Sequence, residues 1–367
     1  YSFGGPALPN PQHQTTPEAP IIQSHLNKML ENGCKYAVVE SSSHGLSTKL
    51  NRCGNILFDC GVFMNVTLEH LEFHKTFDQY KNDKANLFRA LDKHNHIKTI
   101  AGVQTKVNSI GVVNLEDPSF VDFINATNHQ VYGYTSLGKA GKAAVENSAP
   151  ISLPAIPENT HVMTATDIIS ASDGISFNIS AMDKDSHFTD ESEQTSFSVN
   201  AKLPGAFNAY NLMASIIAVS SVTDLSFEQV AAQVPNVLPI KGRMTVINEG
   251  QDFEVIVDYA HTPSSFETIF PPLKKRLAET TKGKLFVLFG SGGERDTKKR
   301  PEQGRIAEKY CDYVILTDED PRGEKPMDIL EDIAKGCVNS KRDENLFLIP
   351  DRPTAIQKAF SMAKKGD

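Results

Sequence analysis

Lys84 is a candidate for a chemical role because of its position on a predicted helix. It lies four residues from both Tyr80 and Phe88, which belong to an apolar stripe at the spacing of one helix face. The full stripe consists of Phe77, Tyr80, Leu87, Phe88 and Leu91. Burial lowers the pKa of an inward-facing lysine, and CO₂ can convert the neutral amine to a carbamate, an oxygen ligand suited to Mg²⁺. The alternative is a lysine at the edge of the stripe, with its ammonium in solvent.

Glu40 and His70 are two further candidates, because each follows an apolar run. Residues 36–39 precede Glu40, and residues 61–64 lie shortly before His70. Both runs are predicted to be buried strands. In open α/β sheets, ligands bind at the carboxyl ends of the strands. Glu40 and His70 are therefore placed where chemistry is usually done.

The composition is that of an ordinary globular protein. The chain has 367 residues, of which 40 % are hydrophobic and 22 % charged, and its length predicts two or more domains. A net charge of −8 without a long basic run argues against a nucleic-acid partner. No apolar run approaches the ~20 residues of a membrane span. The five cysteines form no CxxC pair, which argues against a zinc site or a disulfide framework, so a cytoplasmic protein fits best.

The stretch around these candidates resembles the Mur ligases, ATP-dependent amide-bond-forming enzymes of peptidoglycan synthesis. Within that family it is most similar to the tripeptide synthetases, which add the third residue to UDP-MurNAc-L-Ala-D-Glu. The matching segments are Glu40-Ser-Ser-Ser43-His44-Gly-Leu46, Phe58-Asp59, Phe63-Met-Asn65, Glu69-His70-Leu-Glu72-Phe-His74 and Asp83-Lys84-Ala-Asn-Leu87-Phe88. The departures are Met64 for Thr, Glu69 and Glu72 for Asp, and two extra residues between His44 and Arg52.

The resemblance implies roles for several residues of this region. Glu40 would bind one Mg²⁺, and His70 with carbamylated Lys84 would serve a second. The residues that would contact the UDP-muramoyl substrate are Thr15, Thr16, Ser42 and Arg52. From the sequence pattern alone, Thr16 is predicted to be the N-cap and Pro17 the first residue of a helix that ends at Gly33.

Four residues further along the chain are implied to contact ATP. They are Asn208, Asn211, Arg243 and Asp258. In the family, asparagines at the first two positions approach adenine, the arginine faces the nucleotide, and the aspartate lies near the ribose. Without the resemblance, Asn208 would be interpreted as a helix cap.

The C-terminal part alternates strands and helices, which predicts a parallel sheet. The predicted strands are residues 253–257, 285–289, 313–316 and 346–349. Charged, turn-forming sequences follow three of them, which suggests one shared cleft. By resemblance, Arg295, Asp320 and Arg322 hold the incoming amino acid, with Asp320 in place of the family's Asn.

The fold class expected is α/β. A P-loop-type central ATPase domain (residues 1–243), truncated at its N-terminus and with a β-rich part, is followed by a Rossmann-like α/β C-terminal domain (244–367), itself C-terminally incomplete. The β-rich part has predicted strands at 99–103, 111–113, 130–134, 175–179 and 196–199, and an acidic exposed loop at 182–193. No P-loop, G-x-x-G-K-[ST]-[ST], occurs in the sequence. We therefore expect a fragment that begins after the P-loop, lacks the uridine-binding domain and is inactive alone.

The expected activity is ATP-dependent addition of a diamino acid to UDP-MurNAc-L-Ala-D-Glu through an acyl phosphate, with Mg²⁺, by a monomeric enzyme of cell-wall synthesis, cell shape and cell division. Arg322 favours meso-diaminopimelate, whose second carboxylate it could grip bidentately. The alternatives are an L-lysine-adding enzyme, another Mur or folylpolyglutamate-type ligase, and a non-catalytic nucleotide- or precursor-binding relative.

Overall fold

A computed structural model describes residues 2–9, 15–67, 69–100, 102–136, 156–157, 160–171, 173–182 and 195–367. The chain divides into two compact units, Tyr1–Leu238 and Pro239–Asp367, called here the first and second unit. The predicted domains, 1–243 and 244–367, stay a prediction, because a compact unit and a functional domain need not share a boundary. The predicted acidic loop lies outside the described residues, except that Met182 ends a strand.

The described helices of the first unit are α1 (Ala19–Glu31), α2 (Ser43–Leu46), α3 (Leu71–His74), α4 (Phe77–Arg89), α5 (Phe120–Ile124), α6 (Asn208–Val222) and α7 (Phe227–Ala231), with 3-10 turns at Leu91–Lys93 and Val234–Asn236. Its described strands are β1 (Cys60–Phe63), β2 (Ile97–Ile100), β3 (Val103–Lys106), β4 (Ile110–Asn114), β5 (Gln130–Thr135), β6 (His161–Ser170), β7 (Ile175–Met182) and β8 (Thr195–Ala201).

A six-stranded sheet in the order β1-β4-β5-β6-β7-β8 forms the centre of the first unit. The pairs from β1 to β6 are parallel, and those from β6 to β8 are antiparallel. Val112, Val113, Tyr132 and Tyr134 are at most 1 % exposed, as expected for parallel strands covered on both faces. The α/β class is confirmed, and the carboxyl ends of β1, β4 and β5 meet at one edge.

The strand prediction for residues 61–64 is confirmed by β1, but the one for residues 36–39 is wrong. These residues form no strand, and Tyr36 and Val38 are 58 % and 94 % exposed. A buried strand needs a hydrogen-bonded neighbour, and in the described part of the chain β1 pairs only with β4. The prediction for 99–103 also crosses a boundary, because Gly102, with φ of 82°, turns the chain between β2 and β3.

The helix that carries Lys84 forms as predicted. Thr76 caps α4 by accepting a hydrogen bond from the backbone N–H of Gln79. Tyr80 and Phe88 are 3 % and 0 % exposed, and Leu91 lies buried in the 3-10 turn that follows. Periodicity within one helix is a local signal, so it predicts the buried face correctly.

The start of α1 differs from the prediction. Glu18, rather than Thr16, is the N-cap residue, and the first helical residue is Ala19. Thr16 is 1 % exposed, and its hydroxyl accepts a hydrogen bond from the backbone N–H of Ser42 instead of capping the helix. The predicted end is confirmed, because Gly33 follows the C-cap with φ of 79°.

The second unit contains β9 (Thr245–Ile247), β10 (Val255–Val257), α8 (Pro263–Glu279), β11 (Phe286–Phe289), α9 (Lys299–Tyr310), β12 (Tyr313–Leu316), α10 (Pro326–Ala334), β13 (Leu346–Leu348) and α11 (Arg352–Met362). Strands β11, β12 and β13 form the predicted parallel sheet. Strand β10 does not join it, because it pairs antiparallel with the nearby β9. The expectation of one parallel sheet was wrong for this strand.

No helix in the described part of the chain combines the length and the apolar composition that a membrane crossing requires.

Candidate active site

The segment from Glu40 to Gly45 is fixed to the residues that precede α1. The Thr16 hydroxyl accepts from the backbone N–H of Ser42 at 2.9 Å and donates to the Glu40 carbonyl oxygen at 3.5 Å. Ser42 in turn caps α2 by accepting from the backbone N–H of Gly45. A Cβ at Gly45 would lie 2.5 Å from Thr16 Cγ2, so only glycine allows this close approach.

Arg52 joins the same cluster. Its guanidinium donates to the Thr16 carbonyl oxygen at 3.1 Å and pairs with the Glu18 carboxylate at 2.6 Å. The structure thus brings together Thr16, Ser42 and Arg52, three of the residues predicted to contact the substrate. Thr15 is next to them in sequence and is exposed.

A buried hydrogen-bonded chain joins α2, α3 and α4. His74 is 2 % exposed, and its ring nitrogens lie 2.8 Å from Asp83 Oδ2 and 3.0 Å from Ser43 Oγ. The other Asp83 oxygen accepts from Gln79 at 3.0 Å. These bonds fix α2, which carries His44, and α3, which begins directly after His70. The motif around Glu69–His74 did not by itself reveal that His74 has this positioning role.

His44, His70 and Glu72 form a cluster that could hold a metal ion. One ligand atom from each lies within 4.8 Å of the others, and the His44 and His70 ring centroids are 5.0 Å apart. Burial, reinforced by the nearby His70 and His74, lowers the pKa of His44 to about 4. Hydrogen bonds to its own backbone and to His70 lower the pKa of Glu72, although burial opposes this. A neutral imidazole and an ionised carboxylate are the forms that bind metals.

Lys84 is only partly exposed, and its ammonium lies 5.2 Å from the centre of the Tyr80 ring. Burial lowers the pKa of Lys84, and the nearby Glu69, Asp117 and Glu40 carboxylates oppose the shift. The inward position and the direction of this shift are those that carbamate formation requires.

The three predicted metal ligands do not form one contact group. Glu40 is exposed, and in the described residues its carboxylate makes no hydrogen bond or ion pair with His70 or Lys84. His70 instead lies 3.4 Å from Glu72 and 4.0 Å from Glu69. The sequence-based assignment missed His44 and Glu72 as possible metal ligands, although both stand in the quoted motifs.

Two acidic residues follow β4 at the same edge of the sheet and were also missed. Asp117 accepts from the backbone N–H groups of Val66 and Ser119, both at 2.8 Å. Glu116 accepts from the Tyr210 hydroxyl at 2.8 Å and from Ser136. A search for acidic pairs directly after each buried strand would have found them.

In the second unit, a buried arginine ties two loops together. Arg300 is 1 % exposed and grips both Glu324 oxygens, at 2.8 and 2.9 Å, while also donating to Asp332 and to the Gly292 carbonyl oxygen. The Arg300 hydrogen bonds lower the pKa of Glu324 to about 2. Arg300 therefore fixes the loop after β11 relative to the loop after β12.

These two loops carry the predicted amino-acid-binding residues. Arg295 and Asp320 are exposed, and Arg322 has φ of 50° with its Nε 3.3 Å from Asp320 Oδ2. The loops touch closely, because the backbone N–H of Gly293 donates to the Asp320 carbonyl oxygen at 2.8 Å.

The four predicted ATP-binding residues lie in both units. Asn208 is the first residue of α6, not its cap, so that interpretation was wrong, and its amide donates to the Pro204 carbonyl oxygen. Asn211 donates to Asn208 Oδ1 at 2.9 Å. In the second unit, Asp258 accepts from the backbone N–H groups of Met244 and Ala260.

Arg243 is the fourth predicted ATP-binding residue. Its guanidinium carbon lies over the Tyr259 ring, 4.7 Å from the ring centre.

Comparison with known families decides the affiliation. Residues 2–219 match the Mur ligase middle domain, and residues 242–367 match the Mur ligase glutamate ligase domain. The chain belongs to the Mur ligase family. The resemblance inferred from the sequence is thereby confirmed, and the fold expected from it agrees with the parallel-rich α/β architecture described above.

Two similar proteins share one name. It is 50 % identical to a UDP-N-acetylmuramyl-tripeptide synthetase of Treponema denticola over 367 residues, covering 100 % of this chain and 63 % of that protein. It is 45 % identical to the protein of the same name in Treponema pallidum, covering 100 % and 66 %. A solved UDP-N-acetylmuramoyl-L-alanyl-D-glutamate–2,6-diaminopimelate ligase is 27 % identical with a TM-score of 0.53, covering 98 % of this chain and 63 % of that one. The chain thus spans just under two thirds of these relatives.

Proposed function

We propose that this Mur ligase chain takes part in the ATP-dependent addition of a diamino acid to UDP-MurNAc-L-Ala-D-Glu during peptidoglycan precursor synthesis. The observation that carries the proposal is Lys84, which is half-buried on α4 and whose pKa is lowered by burial. The names of the relatives support the same reaction. A monomeric, cytoplasmic enzyme is part of the proposal.

The proposed reaction has two steps. The D-Glu carboxylate attacks the γ-phosphorus of ATP, which gives an acyl phosphate and releases ADP. The amine of the diamino acid then attacks the acyl carbon, loses a proton and expels phosphate. Thr15, Thr16, Ser42 and Arg52 would hold the UDP-muramoyl substrate so that its carboxylate stays in place for both steps.

Lys84 acts in this proposal as a carbamate. Its neutral nitrogen adds to the carbon of CO₂ and loses a proton, so that a cation is replaced by an anion with two oxygens. Glu40 would hold one Mg²⁺, and His70 with the Lys84 carbamate would hold a second, with His44 and Glu72 as further donors. Bound Mg²⁺ supplies charge neutralisation where two anions meet.

Four residues would contact the nucleotide, as the resemblance to the family implies. Asn208 and Asn211 offer amides, which can donate to and accept from a purine edge. Arg243 would face the nucleotide, and Asp258 would lie near the ribose. Arg243 is supported by its position over Tyr259, which orients the guanidinium without neutralising it.

For the added residue we favour meso-diaminopimelate. Arg322 uses only its Nε in the 3.3 Å pair with Asp320, and in the described residues both terminal nitrogens have no hydrogen-bond partner. Those two nitrogens could grip a second carboxylate bidentately. Arg295 would hold the other end of the amino acid.

L-Lysine is a second candidate, and a specific observation favours it. Asp320 stands 63 % exposed beside Arg322, and its carboxylate could accept the ammonium of a lysine side chain. Another Mur or folylpolyglutamate-type ligase and a non-catalytic precursor-binding relative are the remaining alternatives.

The test uses the full-length protein with ATP, Mg²⁺ and UDP-MurNAc-L-Ala-D-Glu, and measures phosphate release with single diamino acids and with two in competition. We expect meso-diaminopimelate to be preferred, and Arg322→Ala to lose about ten- to a hundredfold of that preference. Preferred lysine incorporation would overturn the choice of amino acid. No phosphate release with any diamino acid would overturn the reaction itself.

A further inference from the structure

A second histidine–carboxylate cluster lies at the opposite edge of the first unit's sheet. Asp59 directly precedes β1, and His94 and His96 lie between the 3-10 turn Leu91–Lys93 and β2. Met64, at the other end of β1, is five residues from Asp59, or about 16 Å along an extended strand. The cluster is therefore separate from the candidate active site at the carboxyl edge.

Hydrogen bonds preset both imidazoles. His94 Nε2 lies 2.8 Å from the Phe58 carbonyl oxygen, and His96 Nε2 lies 2.8 Å from the Leu91 carbonyl oxygen. A carbonyl oxygen can only accept, so each Nε2 carries the hydrogen, and the neutral ring keeps its lone pair on Nδ1. Metal-binding histidines are oriented in this way, by donating the other ring N–H to a carbonyl or carboxylate.

The two imidazoles lie beside a carboxylate. One ligand atom each from His94, His96 and Asp59 lies within 4.8 Å of the other two. His94 Nδ1 also accepts from the backbone N–H of His96 at 3.2 Å, a hydrogen bond that a metal ion on this atom would replace. His96 Nδ1 is 2.9 Å from Asp59 Oδ1, a contact between two acceptors unless a second proton or a cation lies between them. His96 is only 4 % exposed. A second proton would make it an imidazolium paired with Asp59, and a shared metal ion would satisfy the same two atoms.

We propose that Asp59, His94 and His96 bind a divalent transition-metal ion of the Zn²⁺ type. Two imidazoles and one carboxylate are a ligand set that such ions accept, with further coordination positions left for water. Ligand atoms about 2.1 Å from one tetrahedral ion are about 3.4 Å apart. His96 Nδ1 and Asp59 Oδ1 need to separate by about half an ångström to reach this, which a small rotation of the Asp59 side chain supplies.

The absence of CxxC pairs does not bear on this site, because its ligand atoms are nitrogen and oxygen.

The positive charge of Lys98 opposes metal binding at this site. The Lys98 ammonium lies 3.1 Å from Asp59 Oδ2 and 2.9 Å from the Leu57 carbonyl oxygen. Lys98 therefore occupies the oxygen that the ion does not use, and its positive charge weakens binding without blocking it.

The test measures Zn²⁺ affinity of the full chain in competition with a chromophoric chelator. Because the His44–His70–Glu72 cluster could also bind Zn²⁺, all variants are compared in a His70→Ala background. Replacing one of three ligands, His94→Ala, should lower the affinity about tenfold or more, since even loss of a residue that only orients a ligand costs that much. His94→Gln serves as a second variant if the first unfolds.

The matched control is His129→Ala. The His129 ring packs 4.8 Å from the His96 ring, but its Nε2 is directed at Asp92, 3.5 Å away. This variant should bind Zn²⁺ like its parent. With Co²⁺ as the probe, the parent should show visible d–d absorption that His94→Ala lacks.

Equal Zn²⁺ affinity in the parent and in both His94 variants would overturn the proposal. So would an equal loss of affinity in His129→Ala, because the effect would then belong to packing rather than to ligation.

Discussion

The two histidine–carboxylate clusters of the first unit differ in what holds them. In the cluster of His44, His70 and Glu72, rings contact one another, and the fixed groups are neighbours such as His74. In the cluster of Asp59, His94 and His96, each ring is itself fixed by a backbone carbonyl. Neighbouring groups therefore support the first cluster, whereas hydrogen bonds to backbone carbonyls fix the rings of the second directly.

Lys84→Ala should have the largest effect, on the proposed reaction. In that proposal the Lys84 carbamate supplies a preorganised charge, and removing one such group lowers kcat by about 10²–10³-fold. Phosphate release by the full-length protein measures this, and added short carboxylic acids should restore part of the activity. The control is Lys81→Ala on the same helix, whose ammonium pairs with Asp122 at 2.8 Å. Full activity of Lys84→Ala without any added acid would remove the carbamate from the proposal.

Asp83→Asn should weaken the support of the first cluster and leave the second intact. The side chains of His74 and Asp83 are 0 % and 5 % exposed, and a hydrogen bond to a charged group contributes about 1.5–3 kcal/mol. We expect the free energy of unfolding to fall by about 2 kcal/mol in urea denaturation. Asp78→Asn, at a 90 % exposed carboxylate of the same helix, is the control. Equal stability of the two variants would show that the His74 chain is not what holds α2 to α4.

In the first unit, local sequence patterns correctly predicted the features that depend on a single helix or strand. The stripe on α4 gave the inward direction of Lys84 because helix periodicity acts within a few residues. Residues 36–39 have the same apolar character, yet they form no strand, because pairing depends on a distant partner. The hydroxyl of Thr16 was likewise assigned to a local cap but bonds to Ser42, 26 residues away.

The clusters themselves could be predicted only in part. His70 and Glu72 stand in one motif, but their approach to His44 depends on how α2 packs against α4. Asp59 and the pair His94 and His96 are 35 or more residues apart, and only pairing of β1 with β4 and the turn after α4 bring them together. The sequence analysis did not single out His94 or His96, and a histidine pair at a spacing of two before a strand is the signal that it could have used.

The lowered pKa of His44 predicts an acid-dependent loss of stability. With a pKa of about 4 in the folded state against 6.5 when unfolded, the unfolded chain binds more protons between these values. The contribution of neutral His44 to the free energy of unfolding is fully present above pH 6.5, and it is lost as the pH falls towards 4. We expect a loss on the order of 1 kcal/mol after allowance for solvent screening. Urea midpoints of the chelator-treated protein at several pH values measure it.

His44→Gln should flatten this pH dependence, because glutamine does not titrate in the window. The comparison above pH 7 gives the control, since neither protein should change stability there through residue 44. An unchanged slope between pH 6.5 and 4 in His44→Gln would assign the acid sensitivity to other groups.

The smallest expected effect concerns the second cluster, where Lys98→Met should tighten Zn²⁺ binding. Removing a partly exposed ammonium 3.1 Å from Asp59 Oδ2 relieves a repulsion of up to ~1 kcal/mol, or about fivefold in affinity. Lys106→Met is the matched control, because Lys106 lies on the partner strand opposite Ile97 and changes the net charge equally. If both variants tighten binding alike, the effect is one of overall charge. If Lys98→Met weakens binding, the ammonium is needed to hold Asp59 in place, and the second cluster depends on an ion pair as well as on its carbonyl-bound rings.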